Sequence, residues 1–414
     1  MIIDSKQYNG LCQCGRTHEM ETVFCVVESG ALKRIAEYTK QYGIVGYTVA
    51  VYDENTYKAT ADRHPQADFE VILPAEDLHA NEHGVALLQE KLPQEAELLL
   101  AVGAGTVHDI TRYCAYEKKI PFVSCPTAAS VDGFCSSVAA MTWQGCKKTL
   151  TAVAPKLVVA DLDIIKKAPI RLARSGFGDM VGKYVSLTDW KIGNLLTGEL
   201  YCDTIADLTR VATENVLISA KGILAGDEKA YEDLMGGLLL SGLAMQMMGN
   251  SRPASGAEHH ISHMIEMQPQ ALDLSSDALH GEKVGVGTLL AIKEYQRISA
   301  IPAVAFKDYE TFTPQSITEL FGEEMAQSLL EENRKDSAAG ITSEILRKKW
   351  EAITQQIKKL PDVQQLEKLY KELGVIATLP EINVPEAMEQ ILLSSSPMVR
   401  NRLTFMRLRR CMEM

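Results

Sequence analysis

Residues 97–109 read ELLLAVGAGTVHD: an unbroken apolar run, a turn carrying two glycines, and the start of a helical pattern. A run that is apolar at every position, not at alternate ones, suits a strand buried on both faces, as in parallel sheets. VGYTVAVYD (45–53), FEVILPA (69–75), IPFVSCP (120–126) and LVVADLD (157–163) have similar strand character. Amphipathic stretches such as ALKRIAEYTKQYG (31–43) and HGVALLQEKL (83–92) lie between them. This alternation predicts an α/β domain with a parallel, Rossmann-like sheet over residues 1–165. After about Ile165 the β-runs stop and long helical patterns take over, with breaks such as GNSRPASG (249–256), so residues 166–414 are expected to form an all-α domain.

A chain of 414 residues exceeds what one hydrophobic core usually serves, which agrees with two domains. Its 46% hydrophobic and 23% charged residues are ordinary globular composition and argue against a disordered, collagen-like or disulfide-scaffold protein. With 42 Lys and Arg against 54 Asp and Glu, the formal charge of −12 opposes a broad nucleic-acid or membrane-surface footprint, so any anionic ligand must be captured locally. The longest apolar stretch, LMGGLLLSGLAMQMM (234–248), is broken by Gly and Ser and falls short of the ~20 residues a bilayer needs. The nine cysteines are odd in number and scattered, and the start MIIDSKQYNG is polar, so a reduced, cytoplasmic protein is expected. Cys12-x-Cys14 with His18 nearby has metal-binding residue types. The spacing is not the two-residue gap of zinc knuckles and no second pair follows closely, so sequence alone does not establish a site there.

An open α/β sheet binds its ligand at the carboxyl ends of its strands, which directs attention to the turns. Asp53 ends one strand, where a carboxylate suits either the ribose hydroxyls of a nucleotide or a helix cap. Gly103-Ala-Gly105-Thr106-Val107-His108-Asp109 brings backbone N–H groups to a helix start, where a phosphate can bind. His108 stands where G-x-G-x-x-G has its third glycine, so by itself the match is weak and an ordinary tight turn is the better reading. Pro126-Thr127-Ala128-Ala129-Ser130-Val131-Asp132-Gly133 follows another strand; its small residues and hydroxyls suit a ligand lying across the backbone, or simply a capped loop.

Of nine histidines, His259, His260, His263 and His280 cluster in helical sequence. His259 and His263 share a helix face and His260 points about 100° away, so a same-face pair plus a third His favours a metal site. H-E-x-x-H is absent, and a carboxylate from elsewhere must complete the site. Asp179 in Ser175-Gly176-Phe177-Gly178-Asp179 is the candidate, because flanking glycines allow close approach, although 54 acids compete and spacing does not single it out.

Together, GAGTVHD (103–109), PTAASVDG (126–133), ADLDII (160–165), GFGDMVGKYVSLTDWK (176–191), SGAEHHISH (255–263) and ALHGEKVGVGT (278–288) resemble the glycerol-1-phosphate dehydrogenases. The likeness is greatest to their bacterial, arabinose-operon-associated branch, within the metal-dependent polyol and iron-type alcohol dehydrogenases of dehydroquinate synthase-like fold. The resemblance implies that Asp179, His259 and His280 hold one divalent metal, zinc or nickel, and that His263 serves substrate binding or proton relay. It implies reversible hydride transfer between NAD(P)H and dihydroxyacetone phosphate, giving sn-glycerol 1-phosphate for phospholipid biosynthesis, with the metal polarising the ketone. Asp53 would take the adenosine ribose, Gly105, Thr106, Val107, His108 and Asp109 the pyrophosphate, and Thr127, Ser130 and Ser136 the nicotinamide end. Ala104 and His108 depart from the glycine and apolar residue frequent in relatives, without removing a backbone donor. Asp132 would orient a substrate hydroxyl and Lys183 would join the catalytic group, with Asp179 and His263 also facing substrate. Asp53 favours NAD, since a carboxylate repels a 2′-phosphate, while Lys58 and Arg63 nearby keep NADP open. A homodimer is implied.

Substrate phosphate needs cations: Lys183, Lys191 and Arg252 lie in or beside the motifs, although each by itself reads more readily as a solvated surface charge, and the basic tail Arg400 to Arg410 reads as favourable charges on a late helix. The competing functions are a polyol dehydrogenase of unphosphorylated substrates, a dehydroquinate synthase-like lyase that recycles its NAD, and a nucleotide-binding regulator without activity.

Overall fold

The computed structural model describes residues 1–143 and 146–413. In the first part of the chain the strands are β1 (Ile2–Asp4), β2 (Gly10–Leu11), β3 (Thr17–His18), β4 (Phe24–Glu28), β5 (Thr48–Asp53), β6 (Phe69–Leu73), β7 (Leu98–Gly103), β8 (Phe122–Pro126), β9 (Val138–Trp143), β10 (Cys146–Thr151) and β11 (Leu157–Asp161). Among the described residues, seven of them form one sheet in the order β1-β4-β11-β8-β7-β5-β6. Every pairing from β4 to β6 is parallel, and β1 closes one edge antiparallel. All of β7, β8 and β11 is buried, as their apolar runs require. Alternation splits each strand between two cores: Ala50, Tyr52, Leu98, Leu100 and Val102 pack on one face, Val49, Val51, Leu99 and Ala101 on the other.

The helices are α1 (Ile35–Gln41), α2 (Glu54–Ala59), α3 (Glu82–Lys91), α4 (Gly105–Lys118), α5 (Leu162–Ile165), α6 (Ile170–Val181), α7 (Lys183–Thr197), α8 (Asp203–Leu224), α9 (Glu228–Met248), α10 (Ala257–Met267) and α11 (His280–Ser299), with further helices to the C-terminus. β5 sends the chain through α2 to β6 on one side, and β7 sends it through α4 to β8 on the other. The strand order therefore reverses between β5 and β7, which opens a crevice at their carboxyl ends, beside Asp53 and Gly103.

Strands of the large sheet end at Asp161, close to the expected change of character after Ile165. The compact units divide later: one comprises Met1–Met180 with Glu214–Asn250, the other Val181–Thr213 with Ser251–Met414. Thus α9, helical in sequence, belongs with the sheet unit, where Gly242 lies against the loop that follows β8. Several elements fall outside the sequence expectation: the sheet strand β4 with its antiparallel neighbour β1, the short β2–β3 ladder, the β9–β10 hairpin, and a two-residue ladder joining Ala305–Phe306 to Met412–Glu413 in the helical unit.

Candidate active site

In the sheet unit, β7 enters α4 through a turn too tight for a side chain: a Cβ on Gly103 would meet Val107 at 2.6 Å. Gly105 differs, since a Cβ there would meet nothing closer than Val131 at 3.9 Å. Its missing side chain leaves a cradle that packing does not demand. Ala104, the residue before α4, supplies no capping side chain, and the first intrahelical bond is His108 N–H to the Ala104 carbonyl. The N–H groups of Gly105, Thr106 and Val107 accordingly remain for an anion at the positive end of the helix. Val107 and His108 turn their side chains inward. His108 Nδ1 donates to the Ala104 carbonyl (2.9 Å), its Nε2 accepts from Ser124 Oγ (2.8 Å), and burial pushes the imidazole down to about 3.

Asp53 Oδ1 accepts the Thr56 N–H at 2.8 Å, so the helix-capping reading is realised with one oxygen of the carboxylate. Arg63 lies 3.1 Å from Asp163. Asp109 pairs with buried Arg112 at 2.8 Å, and Arg112 also donates to the carbonyls of Gly133, Phe134 and Val138. The pair ties α4 to the loop after β8. Within that loop Thr127 and Ser130 are buried, Thr127 N–H donates to the Gly103 carbonyl, and Ser136 Oγ bonds its own neighbour, Val138.

The loop reaches α6 by close approach. A Cβ on Gly176 would lie 2.2 Å from the Ala129 carbonyl oxygen, and one on Gly242 of α9 would lie 2.8 Å from the Asp132 carbonyl oxygen. Between these contacts Asp132 donates its N–H to Asp179 Oδ2 at 3.0 Å, and Asp132 Oδ2 accepts from Ser241 Oγ at 2.9 Å. Asp179 is fully buried. Sequence-distant Asp132 and Asp179 are thus brought together.

In the helical unit, the start of α10 is capped by Asp189 of α7, which accepts the N–H groups of Ala257 (2.9 Å) and Phe405 (2.7 Å) and the Tyr295 hydroxyl (2.8 Å). A Cβ on Gly256 would meet Asp189 at 2.7 Å. From this seat α10 and α11 present three imidazoles with ring centres 5.4 Å (His259–His280), 5.9 Å (His263–His280) and 6.0 Å (His259–His263) apart. His259 Nδ1 is 2.7 Å from Glu258 Oε1; His280 Nδ1 is 3.0 Å from Glu266 Oε1, and His263 Nδ1 is 3.2 Å from Glu266 Oε2. With Nδ1 donating, Nε2 is the nitrogen of each ring that carries a lone pair. Burial pushes the Glu258 carboxyl up to about 7. Burial acts the same way on Glu266, but His280 and His263 outweigh it and hold that carboxyl well below its ordinary value.

Glu258 and Glu266 were not singled out from sequence; the i,i+3 spacing of Glu266 after His263 was the available signal. His260 is buried, and neither ring nitrogen has a hydrogen-bond partner among the described residues, in keeping with its place off the His259 face. Lys183 is fully buried with Nζ donating to the Ala254 carbonyl at 3.1 Å, so a solvated surface role does not apply. Arg252 is engaged by Glu199 and the Leu403 carbonyl, and Lys191 lies over the Tyr201 ring at 4.0 Å. The tail arginines are built in: Arg407 is buried against Asp336 (2.7 Å) and Asn333, and Arg402 holds Ser251 and Ser255.

The model of the iron-containing alcohol dehydrogenase family matches residues 26–169. A glycerol-1-phosphate dehydrogenase (NAD(P)+) of Bacillus licheniformis is 38% identical, aligning over 71% of this chain and 75% of its own length. Another, of Geobacillus stearothermophilus, is 33% identical over 95% of this chain and 94% of its own. Among solved structures, a probable glycerol dehydrogenase from Sinorhizobium meliloti 1021 superposes with a TM-score of 0.60 at 17% identity, covering 94% of this chain and 93% of that one. An iron-containing alcohol dehydrogenase from Thermococcus thioreducens gives 0.59 at 14% identity, covering 95% and 99%. These two likenesses concern the fold.

Proposed function

We propose a function from the premise that this chain belongs to the glycerol-1-phosphate dehydrogenase family, to which its relatives tie it over most of its length. It interconverts dihydroxyacetone phosphate and sn-glycerol 1-phosphate with NAD(P)H. The observation that carries the reading is the pair His259 and His280, whose ligand nitrogens lie within 4.8 Å of one another, each ring set by a glutamate. Asp179 is the carboxylate we assign to the same ion. One carboxylate and two imidazoles suit zinc or nickel and leave positions open, as catalytic metal sites do.

When bound, the divalent ion supplies Lewis acidity at the substrate oxygen and the nicotinamide supplies the hydride. The chain's own residues do the rest. The open N–H groups at the start of α4 bind pyrophosphate, with the Gly105 cradle admitting it closely. Asp53 meets the adenosine ribose with the oxygen not used as a cap, and Thr127, Ser130 and Ser136 stand at the nicotinamide end. Asp132 orients a substrate hydroxyl. His263, with Nδ1 held by Glu266, exchanges a proton with the substrate oxygen through Nε2. Lys183 acts from its buried position as a fixed positive charge. We place the enzyme in the cytoplasm as a homodimer; no described helix is long and apolar enough to cross a membrane, and Val211 and Ile218, seven apart on α8, are exposed apolar residues suited to an interface.

The test is NADH oxidation and chiral analysis of the product with protein reloaded by nickel, zinc or iron, on dihydroxyacetone phosphate and on dihydroxyacetone. The phosphorylated substrate should be strongly preferred; comparable rates would overturn the phosphate assignment, and turnover without net NADH loss would indicate a lyase. Asp179→Asn should lose metal and at least about a hundredfold in rate, the several kcal/mol a Lewis acid contributes. Survival of both metal and rate would remove Asp179 from the site.

A further inference from the structure

Between Leu234 and Met248, α9 spells LMGGLLLSGLAMQMM, a stretch in which Ser241 and Gln246 are the polar side chains. Both reach the short segment Asp132–Cys135 of the same unit. Ser241 Oγ donates to Asp132 Oδ2 at 2.9 Å, and Gln246 Nε2 donates to the Cys135 carbonyl. A hydroxyl inside a helix commonly gives its one proton to the carbonyl four residues back. Thr209, Thr213, Ser219 and Thr288 do so, onto Ile205, Thr209, Asn215 and Val284. Ser241 instead gives its proton to a carboxylate 109 residues away in the chain.

The backbone of the segment is held by other means. Gly242 lets α9 approach so closely that a Cβ would lie 2.8 Å from the Asp132 carbonyl oxygen and 2.9 Å from Cys135 Cβ. Gln246 holds the Cys135 carbonyl, and Arg112 of α4 holds those of Gly133 and Phe134. What Ser241 adds acts on the Asp132 side chain. A carboxylate turns broadly about its last torsion, and a donor fixed on one oxygen sets its plane. Both side chains are buried, where such a bond is electrostatically stronger than in water. Asp132 N–H also donates to Asp179 Oδ2 at 3.0 Å, so the residue that Ser241 orients holds the carboxylate assigned to the metal.

We propose that Ser241 is a positioning residue for the dehydrogenase reaction: by holding Asp132 Oδ2 it turns that carboxylate to meet a hydroxyl on the carbon next to the substrate carbonyl, and so selects hydroxymethyl ketones. The proposal rests on the reading that gives Asp132 the substrate hydroxyl. The hydroxymethyl end of dihydroxyacetone phosphate offers one O–H donor and needs an acceptor. A carboxylate supplies it, and one already oriented before substrate arrives loses no freedom on binding. Ser241 is itself fully buried and acts through Asp132.

The test compares NADH oxidation on dihydroxyacetone phosphate with that on acetonyl phosphate, in which a methyl group replaces the hydroxymethyl. The proteins are full-length, metal-loaded wild type, Ser241→Ala, Ser241→Cys and Asp132→Ala. In the wild type the missing hydroxyl should cost about 30-fold in kcat/KM, as a hydrogen bond to a charged group does. Ser241→Ala should lose about tenfold on dihydroxyacetone phosphate and much less on acetonyl phosphate, so the ratio between the two shrinks about tenfold. A serine that only stabilised the fold would lower both rates together; an unchanged ratio in Ser241→Ala, with a ratio that falls in Asp132→Ala, overturns the proposal alone. Ser241→Cys, close in size but a weaker donor, should lie between wild type and Ser241→Ala. It decides if Ser241→Ala does not fold, an undiminished ratio again overturning the proposal. A wild type that reduces both ketones equally, or an Asp132→Ala protein that keeps the wild-type ratio, overturns the hydroxyl reading of Asp132 and the proposal with it. A wild type that oxidises NADH with neither ketone overturns the dehydrogenase reading, on which both stand.

Discussion

Glu266 serves two rings with one carboxylate, Oε1 toward His280 and Oε2 toward His263. Glutamine in its place has one carbonyl oxygen, so it can accept from only one of the two Nδ1–H groups while its amide opposes the other. Glu266→Gln should weaken metal binding by about 10–100-fold without unfolding the protein, measured by competition with a chelator; unchanged affinity would show that the ring orientation does not depend on Glu266. Gly105 offers a second test at this scale. A methyl group there meets nothing closer than 3.9 Å, so Gly105→Ala should stabilise the protein by about 0.4–1 kcal/mol through the unfolded chain. It should also raise KM for NADH, because the methyl occupies the space a phosphate needs. A melting curve and a KM measurement moving in these opposite directions mark a ligand cradle; an unchanged KM would make it an ordinary turn.

Between elements, the same substitution has the reverse sign where backbone meets backbone. Gly176 on α6 lets the helix touch the loop that carries Thr127, Ser130 and Asp132, and a Cβ would lie 2.2 Å from the Ala129 carbonyl. A rigid carbonyl cannot yield as a side-chain end can, so Gly176→Ala should cost about 1–3 kcal/mol. The displacement should also pull Asp132 N–H from Asp179 and lower kcat; thermal denaturation with the rate measured at saturation checks both, and a wild-type melting temperature would refute the close approach. The strands, the glycine turn and the same-face histidines of α10 are local patterns, and each is found where the sequence places it. The β9–β10 hairpin was not legible because its strands lie on a partly solvated flank and lack the continuous apolar run of β7.

For the molecule as a whole, acid exposes what is buried neutral. The His108 imidazole is pushed down to about 3 in the folded state against 6.5 for an unfolded chain, so between those values the unfolded state binds a proton that the native state does not. Its contribution is intact above about pH 6.5 and is lost as pH falls toward 3. The melting temperature should drop between pH 7 and 5 in the wild type and drop less in His108→Gln; equal slopes would clear His108. Covalent geometry and periodicity are local, and for that reason five of the seven main-sheet strands, the phosphate-type turn and the metal-type residues stood in the chain's own spelling. Which carboxylates serve the imidazoles did not, since the i,i+3 spacing of Glu266 after His263 is a signal too common on helices to pick one out of 54 acids, and Glu258 carries none. The same holds for the buried state of Lys183 and of the tail arginine Arg407, which sequence treats as ordinary surface charges. Those facts depend on residues far apart in the chain becoming neighbours, and only packing makes one charge among many both buried and partnered.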